Sequence, residues 1–107
     1  MKFIHPSDDL QAIKNGTKPA VFLFSADWCP DCLYLNPFLD SIEAANPELD
    51  FYKLDRDEMM DEAIAQQIRG IPSFTVYKDG KEIGRFVNGD RKTPEQIQEF
   101  LNPLKEA

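Results

Sequence analysis

The sequence predicts an α/β domain built on a mixed sheet. Ala20, Val21, Phe22, Leu23 and Phe24 form a continuous apolar run. Apolar residues at helical spacing and then a second strand-like run follow it, the order of a βαβ unit. Asp79-Gly80, set between two more strand-like runs, marks a hairpin, because both residues accept the positive φ of a type I′ turn. Thr93, Pro94 and Gln96 then open a closing helix, with a capping box and proline at the first helical position. A chain of 107 residues suits one core and is too short for two, and no Gly/Ser-rich or Pro-rich stretch divides it, so residues 1–107 are expected to form one domain.

Taken in order, Ser7 is placed to cap a short helix through about residue 14, with Leu10 and Ile13 facing inward and Asn15-Gly16 as its stop. The unbroken apolar character of residues 20–24 predicts a strand covered on both faces. Leu35, Phe38, Leu39 and Ile42 predict a helix from about residue 30 to about residue 46, kinked at Pro37. Residues 50–55 read as a strand, and Met60, Ala63, Ile64 and Ile68 as the buried face of a helix ending near Gly70. Residues 73–78 and 81–87 are the hairpin strands, and Ile97, Phe100, Leu101 and Leu104 the inward stripe of the last helix.

Composition narrows the function classes. A formal net charge of -7 opposes binding to a phosphate backbone, so nucleic acid is not an expected partner. The first nine residues lack the basic segment and apolar run of a secretory leader, and no apolar run approaches the roughly 20 residues needed to cross a bilayer. Two cysteines are too few for a secreted disulfide scaffold. The expectation is a cytoplasmic protein without membrane attachment.

The chemistry is concentrated in Trp28-Cys29-Pro30-Asp31-Cys32, where the buried strand gives way to a helix. With Pro30 as the first helical residue, Cys29 is the N-cap and Cys32 the third helical residue, the position at which an N-cap side chain is aimed. The sulfurs should then meet. Free backbone N–H groups and the positive end of the helix dipole favour a thiolate at Cys29, while the more shielded Cys32 suits a second, resolving step. Such a pair can attack a partner disulfide through Cys29 and release the reduced partner through Cys32, with no cofactor. The alternatives are a chance pair of core cysteines and half of a zinc site. Zinc wants four ligands, and the chain adds only His5, better read as a surface or structural histidine.

Gly70-Ile71-Pro72-Ser73 precedes the hairpin. Pro72 reads either as an ordinary strand boundary or as a cis proline that presents Ile71 backbone groups to an extended substrate.

With these segments in view, the chain resembles the thioredoxin family over almost its whole length. Residues 26–32 look like that family's active-site segment, Pro37 sits where its helix is kinked, and Gly70-Ile71-Pro72 looks like its cis-proline loop. The resemblance implies a thioredoxin fold, with a central mixed sheet of four or five strands and helices on both faces. It also implies a cis Pro72, a nucleophilic Cys29 and a resolving Cys32. The implied activity is disulfide reduction in protein substrates, with a flavoprotein thioredoxin reductase as electron donor and the chain acting as a monomer.

Two departures bear on substrate range. Pro30-Asp31 replaces the more frequent Gly-Pro, as in thioredoxin-related proteins carrying WCPDC, and Asp31 either complements the helix dipole or opposes the Cys29 thiolate. Leu23 stands where many members carry a buried aspartate. Lys53 matches the lysine that accompanies that aspartate, and it either tunes the site or extends to solvent. Near Asn88-Gly89 the family usually has a glycine that lets substrate backbone approach; here either Gly89 serves with a shift of one residue or Asn88 narrows the groove, and Trp28, Ile71 and Pro72 would supply an apolar rim. Besides a general reductase, the sequence therefore leaves open a narrow reductase of a peroxidase or of small-thiol mixed disulfides, and a redox-sensing binding module of the same fold.

Overall fold

The computed structural model describes residues 1–106. Its elements are β1 (Lys2–Phe3), α1 (Leu10–Lys14), β2 (Ala20–Ser25), α2 (Pro30–Leu35), a 3₁₀ turn (Asn36–Phe38), α3 (Leu39–Ala45), β3 (Asp50–Asp55), α4 (Met60–Ala65), β4 (Ser73–Lys78), β5 (Lys81–Phe86) and α5 (Pro94–Leu101). A final 3₁₀ segment spans Asn102–Glu106.

The sheet has five strands in the order β1-β3-β2-β4-β5. β1 and β2 run parallel to β3, while β4 runs antiparallel to both β2 and β5, so the sheet is mixed. β2 lies at its centre, and alternation along it explains the unbroken apolar run. Phe22 and Phe24 enter one core cluster with Leu54, Met59, Ala63 and the cysteines, against which Leu10 and Ile13 of α1 also pack. Val21 and Leu23 enter the other with Leu35, Ile42, Phe51, Ile97 and Leu101. Helices therefore cover both faces. Each fully buried phenylalanine here is worth roughly 2–3 kcal/mol relative to solvent.

Local chemistry explains several boundaries. Asp79 (φ 51°) and Gly80 (φ 80°) both hold positive φ, as the type I′ prediction requires. Thr93 accepts the Gln96 N–H while the Gln96 side chain accepts the Thr93 N–H, closing the predicted capping box. The helix predicted from residue 30 is divided by a 3₁₀ turn centred on Pro37, which cannot donate to the α-helical ladder.

Other boundaries correct the sequence reading. α1 is capped by Asp9, whose carboxylate accepts the Ala12 N–H; Ser7 lies in the preceding turn, where Asp8 instead accepts the His5 N–H. β1 was not predicted, being only two residues long, too short for any periodicity. β5 stops at Phe86, one residue before its predicted end.

The largest correction is in α4. Ile64 is 67% exposed and Met60 also faces outward, whereas Met59, Ala63 and Gln66 face inward. Gln66 can be buried because its side chain accepts from Thr75 Oγ1 and donates to Glu62, leaving neither end of the amide unpaired. The helix ends at Ala65, and Gln67, not Gly70, takes the left-handed conformation beyond it (φ 58°).

Candidate active site

The site forms where β2 ends. Ser25 is the last strand residue, and Ala26, Asp27 and Trp28 carry the chain to α2. Cys29 is the N-cap of that helix in an extended conformation, Pro30 is its first residue, and the Cys32 N–H donates to Cys29 Sγ at 3.2 Å. That bond replaces the hydroxyl or carboxylate acceptor of an ordinary cap. Both cysteines are free thiols, Cys29 5% and Cys32 1% exposed.

The two sulfurs have different surroundings. The Cys29 thiol donates to the Ile71 carbonyl at 3.8 Å. Burial, and after it the hydrogen bond to Cys29, pushes the Cys32 thiol up from its ordinary 9.0 to about 11, while bonds from Ser25 and the Ala26 backbone pull the other way.

Around the dithiol, the Ile71-Pro72 peptide is cis, and both residues are buried beside the cysteine cluster. Trp28 is 58% exposed and its indole N–H donates to Asp57 at 2.7 Å, with the Arg56 guanidinium 4.9 Å from the ring centre. That indole bond, with help from Arg56, holds the Asp57 carboxyl below its usual range. Pro30 is exposed on the first turn of α2.

Asp31 does not stand alone between the cysteines. The Arg91 guanidinium donates to it at 2.9 Å and lies 4.2 Å from the centre of the Tyr34 ring. Much of the charge expected to oppose a thiolate is therefore paired.

The segment 88–92 forms one wall of the site. A Cβ on Gly70 would lie 2.5 Å from Gly89 N and 2.6 Å from the Asn88 carbonyl carbon, so only glycine lets this segment pack beside Ile71. At Gly89 itself a Cβ would meet nothing within 4 Å. The close approach that demands glycine is thus at Gly70, while Asn88 and Gly89 form the exposed edge. Ser73 Oγ donates to both the Gly70 and Asn88 carbonyls and ties the wall to the start of β4.

Lys53 is not brought to the sulfurs. It shares a strand face with Phe51, on the side of the second core cluster, and its ammonium donates to Asn36 at 3.0 Å and lies 5.5 Å from the Phe3 ring centre. His5 is exposed and paired with Glu58 at 2.8 Å, an interaction that raises its pKa. Among the described residues no group of three or more His, Cys, Asp or Glu side chains could hold a metal ion.

Sequence reasoning missed Ser25, Asp57, Arg91 and Lys92. Arg91 and Asp31 are 60 positions apart, and Lys92 looks like a surface lysine in a polar loop, so nothing local announces either.

The sequence model described as Thioredoxin matches residues 4–103. Thioredoxin of Echinococcus granulosus is 39% identical over 83 residues, covering 78% of this chain and 78% of that protein. TPR repeat-containing thioredoxin TDX of Arabidopsis thaliana is 31% identical over 97 residues, or 87% of this chain, which spans 26% of that relative. In three dimensions the thioredoxin of Malassezia sympodialis matches with a TM-score of 0.84 at 29% identity, covering 97% of this chain and 92% of that one. Fold and dithiol together define a thiol–disulfide oxidoreductase. The chain belongs to the thioredoxin family, whose members act on disulfides in proteins.

Proposed function

We propose that the protein works as a reductant, transferring two electrons from the Cys29/Cys32 dithiol to disulfides in other proteins. The observation that supports this most directly is the cap geometry. Cys29 Sγ accepts a backbone N–H and faces the Ile71 carbonyl, whereas Cys32 is held behind it as a reluctant thiol. A partner disulfide is attacked by the Cys29 thiolate, forming a mixed disulfide and releasing one partner thiolate. Cys32 then loses its proton to solvent and attacks Cys29, the Cys29–Cys32 bond forms, and the second partner thiolate leaves.

Trp28, Ile71 and Pro72 line the approach as an apolar rim, with Asn88 and Gly89 as its opposite edge. The cis Ile71-Pro72 turn beside Cys29 suits recognition of an extended substrate strand. In this reading the oxidised protein is regenerated by an external flavoprotein thioredoxin reductase, and the protein acts as a monomer in a reducing compartment, the cytoplasm. A narrower substrate range is favoured by one observation, the Arg91 side chain drawn across the helix start by Asp31 and Tyr34. Comparing rates on protein disulfides and on small-thiol mixed disulfides separates the two readings.

The test is trapping. Cys32→Ser should hold partners covalently through Cys29, released by dithiothreitol, while the unaltered protein reduces insulin disulfides. Partners bound without any covalent link, and no reduction of insulin, would point instead to a binding module.

A further inference from the structure

Arg91 reaches the dithiol from the wall of the site and not from the cysteine motif. Its backbone is anchored by its chain neighbours. Lys92, 1% exposed, donates to the Asn88 side-chain oxygen at 2.9 Å and the Asp90 carbonyl at 3.0 Å, and Thr93 caps α5. Asn88 and Gly89 pack in turn against Gly70, the residue before Ile71, whose carbonyl meets Cys29 Sγ. From this anchored loop the Arg91 side chain crosses to the first turn of α2, where its Nε donates at 2.9 Å to Asp31, which sits between the cysteines. The guanidinium carbon lies over the Tyr34 ring, 4.2 Å from its centre, and that ring packs on Phe38 with the two centres 5.6 Å apart.

This arrangement fixes one edge and one face of the guanidinium and leaves the other edge unused. Asp31 takes only Nε, and among the described residues Arg91 makes no other side-chain hydrogen bond, so Nη1 and Nη2 have no protein acceptor. The side chain is 53% exposed, at the rim of the dithiol. An ion pair this open to water adds little to stability. What Asp31 and Tyr34 do instead is hold a long, flexible side chain in one orientation, with a planar fork of N–H donors still available. Such a fork matches the two oxygens of a carboxylate.

We propose that Arg91 is a specificity residue of the dithiol site, recognising through Nη1 and Nη2 a carboxylate carried beside the substrate disulfide, with Asp31 and Tyr34 holding the guanidinium in place. This deepens the reductase reading and rests on it. The net charge of -7 repels anions at long range, so a carboxylate gains only from a contact made at the site itself. An acidic side chain next to a disulfide cysteine in a protein offers that group, and so does the carboxylate of a small thiol.

The experiment measures second-order rates of the reduced full chain on two matched pairs of disulfides and reads the acid-to-neutral ratio within each pair. One pair is a disulfide-linked peptide with glutamate beside the cysteine and its glutamine counterpart. The other is dithiobis-nitrobenzoate, which bears a carboxylate on each ring, and neutral dithiodipyridine. Arg91→Met should lower the ratio by roughly three- to fivefold. Arg91→Lys, which keeps the charge but neither fork nor stacking, should recover only part of that; full recovery would mean charge alone and contradict the contact. The drop should persist when Arg91→Met is combined with Asp31→Asn and compared with Asp31→Asn alone. Its disappearance there would mean that Arg91 only neutralises Asp31, and would overturn the proposal. A drop in the peptide pair assigns the carboxylate to a protein, and a drop in the aromatic pair alone assigns it to a small thiol. If neither peptide is reduced yet the aromatic ratio still falls, the protein-reductase reading fails and the Arg91 assignment stands. Unchanged ratios in both pairs contradict that assignment, whatever the rates on protein disulfides.

Discussion

At Gly70 a single methyl group has nowhere to go, because the atoms it would strike are backbone atoms of Asn88 and Gly89. Gly70→Ala should therefore destabilise the fold by about 1–3 kcal/mol, read from urea unfolding. It should also slow reduction of a protein disulfide more than that of a small aromatic one, because it displaces the groove wall and leaves the dithiol in place. Asp31 and Arg91 give the opposite case. Their side chains are 34% and 53% exposed, so the pair is partly screened by water. Asp31→Asn and Arg91→Met should each change stability by less than about 1 kcal/mol, with a coupling in the double variant below that limit at physiological salt.

At the scale of elements, α5 depends on its start. Thr93→Ala removes the acceptor for the Gln96 N–H and should cost about 1 kcal/mol, measurable as a lower urea midpoint with an unchanged slope. This cap was legible in the sequence because its two partners are three residues apart. The same holds for the Asp79-Gly80 turn and for Cys29 as the N-cap, each written in a few adjacent residues. α4 was misread because its inward face is set by distant contacts. Gln66 is buried by virtue of Thr75 on β4, and periodicity counted Ile64 inward where the helix leaves it in solvent. β1 was missed for a related reason, since two residues join the sheet only through their register with Tyr52 and Lys53. The pattern extends to the site. The cysteines and the Ile71-Pro72 loop were readable, whereas the Arg91–Asp31 bond joins residues 60 positions apart, and the burial of Lys92 depends on how its own loop turns back onto Phe86, Asn88 and Asp90, which no periodicity announces.

For the molecule as a whole, the buried thiol makes stability depend on redox state and pH together. Below pH 9, folded and unfolded reduced chains both keep the Cys32 proton. Between 9.0 and about 11 the unfolded chain releases it first, so unfolding is coupled to proton loss and stability falls as pH rises through that window. The reduced protein should lose on the order of 1–3 kcal/mol across it, a loss absent from the oxidised form, as paired urea titrations at several pH values would show. The net charge of -7 acts at the same scale. Acidic protein substrates should be reduced faster as salt is raised, because screening weakens long-range repulsion, whereas neutral small disulfides should be nearly insensitive.

The direction of electron flow is the central claim, and the equilibrium constant of the Cys29/Cys32 pair tests it most directly. Titration of the pair against a glutathione or dithiothreitol redox buffer should give a potential close to about -270 mV, in the range of a cytosolic dithiol reductant. A value near roughly -120 mV would mean that the pair donates disulfides instead, and would contradict both the reductant role and the reducing compartment assigned to it.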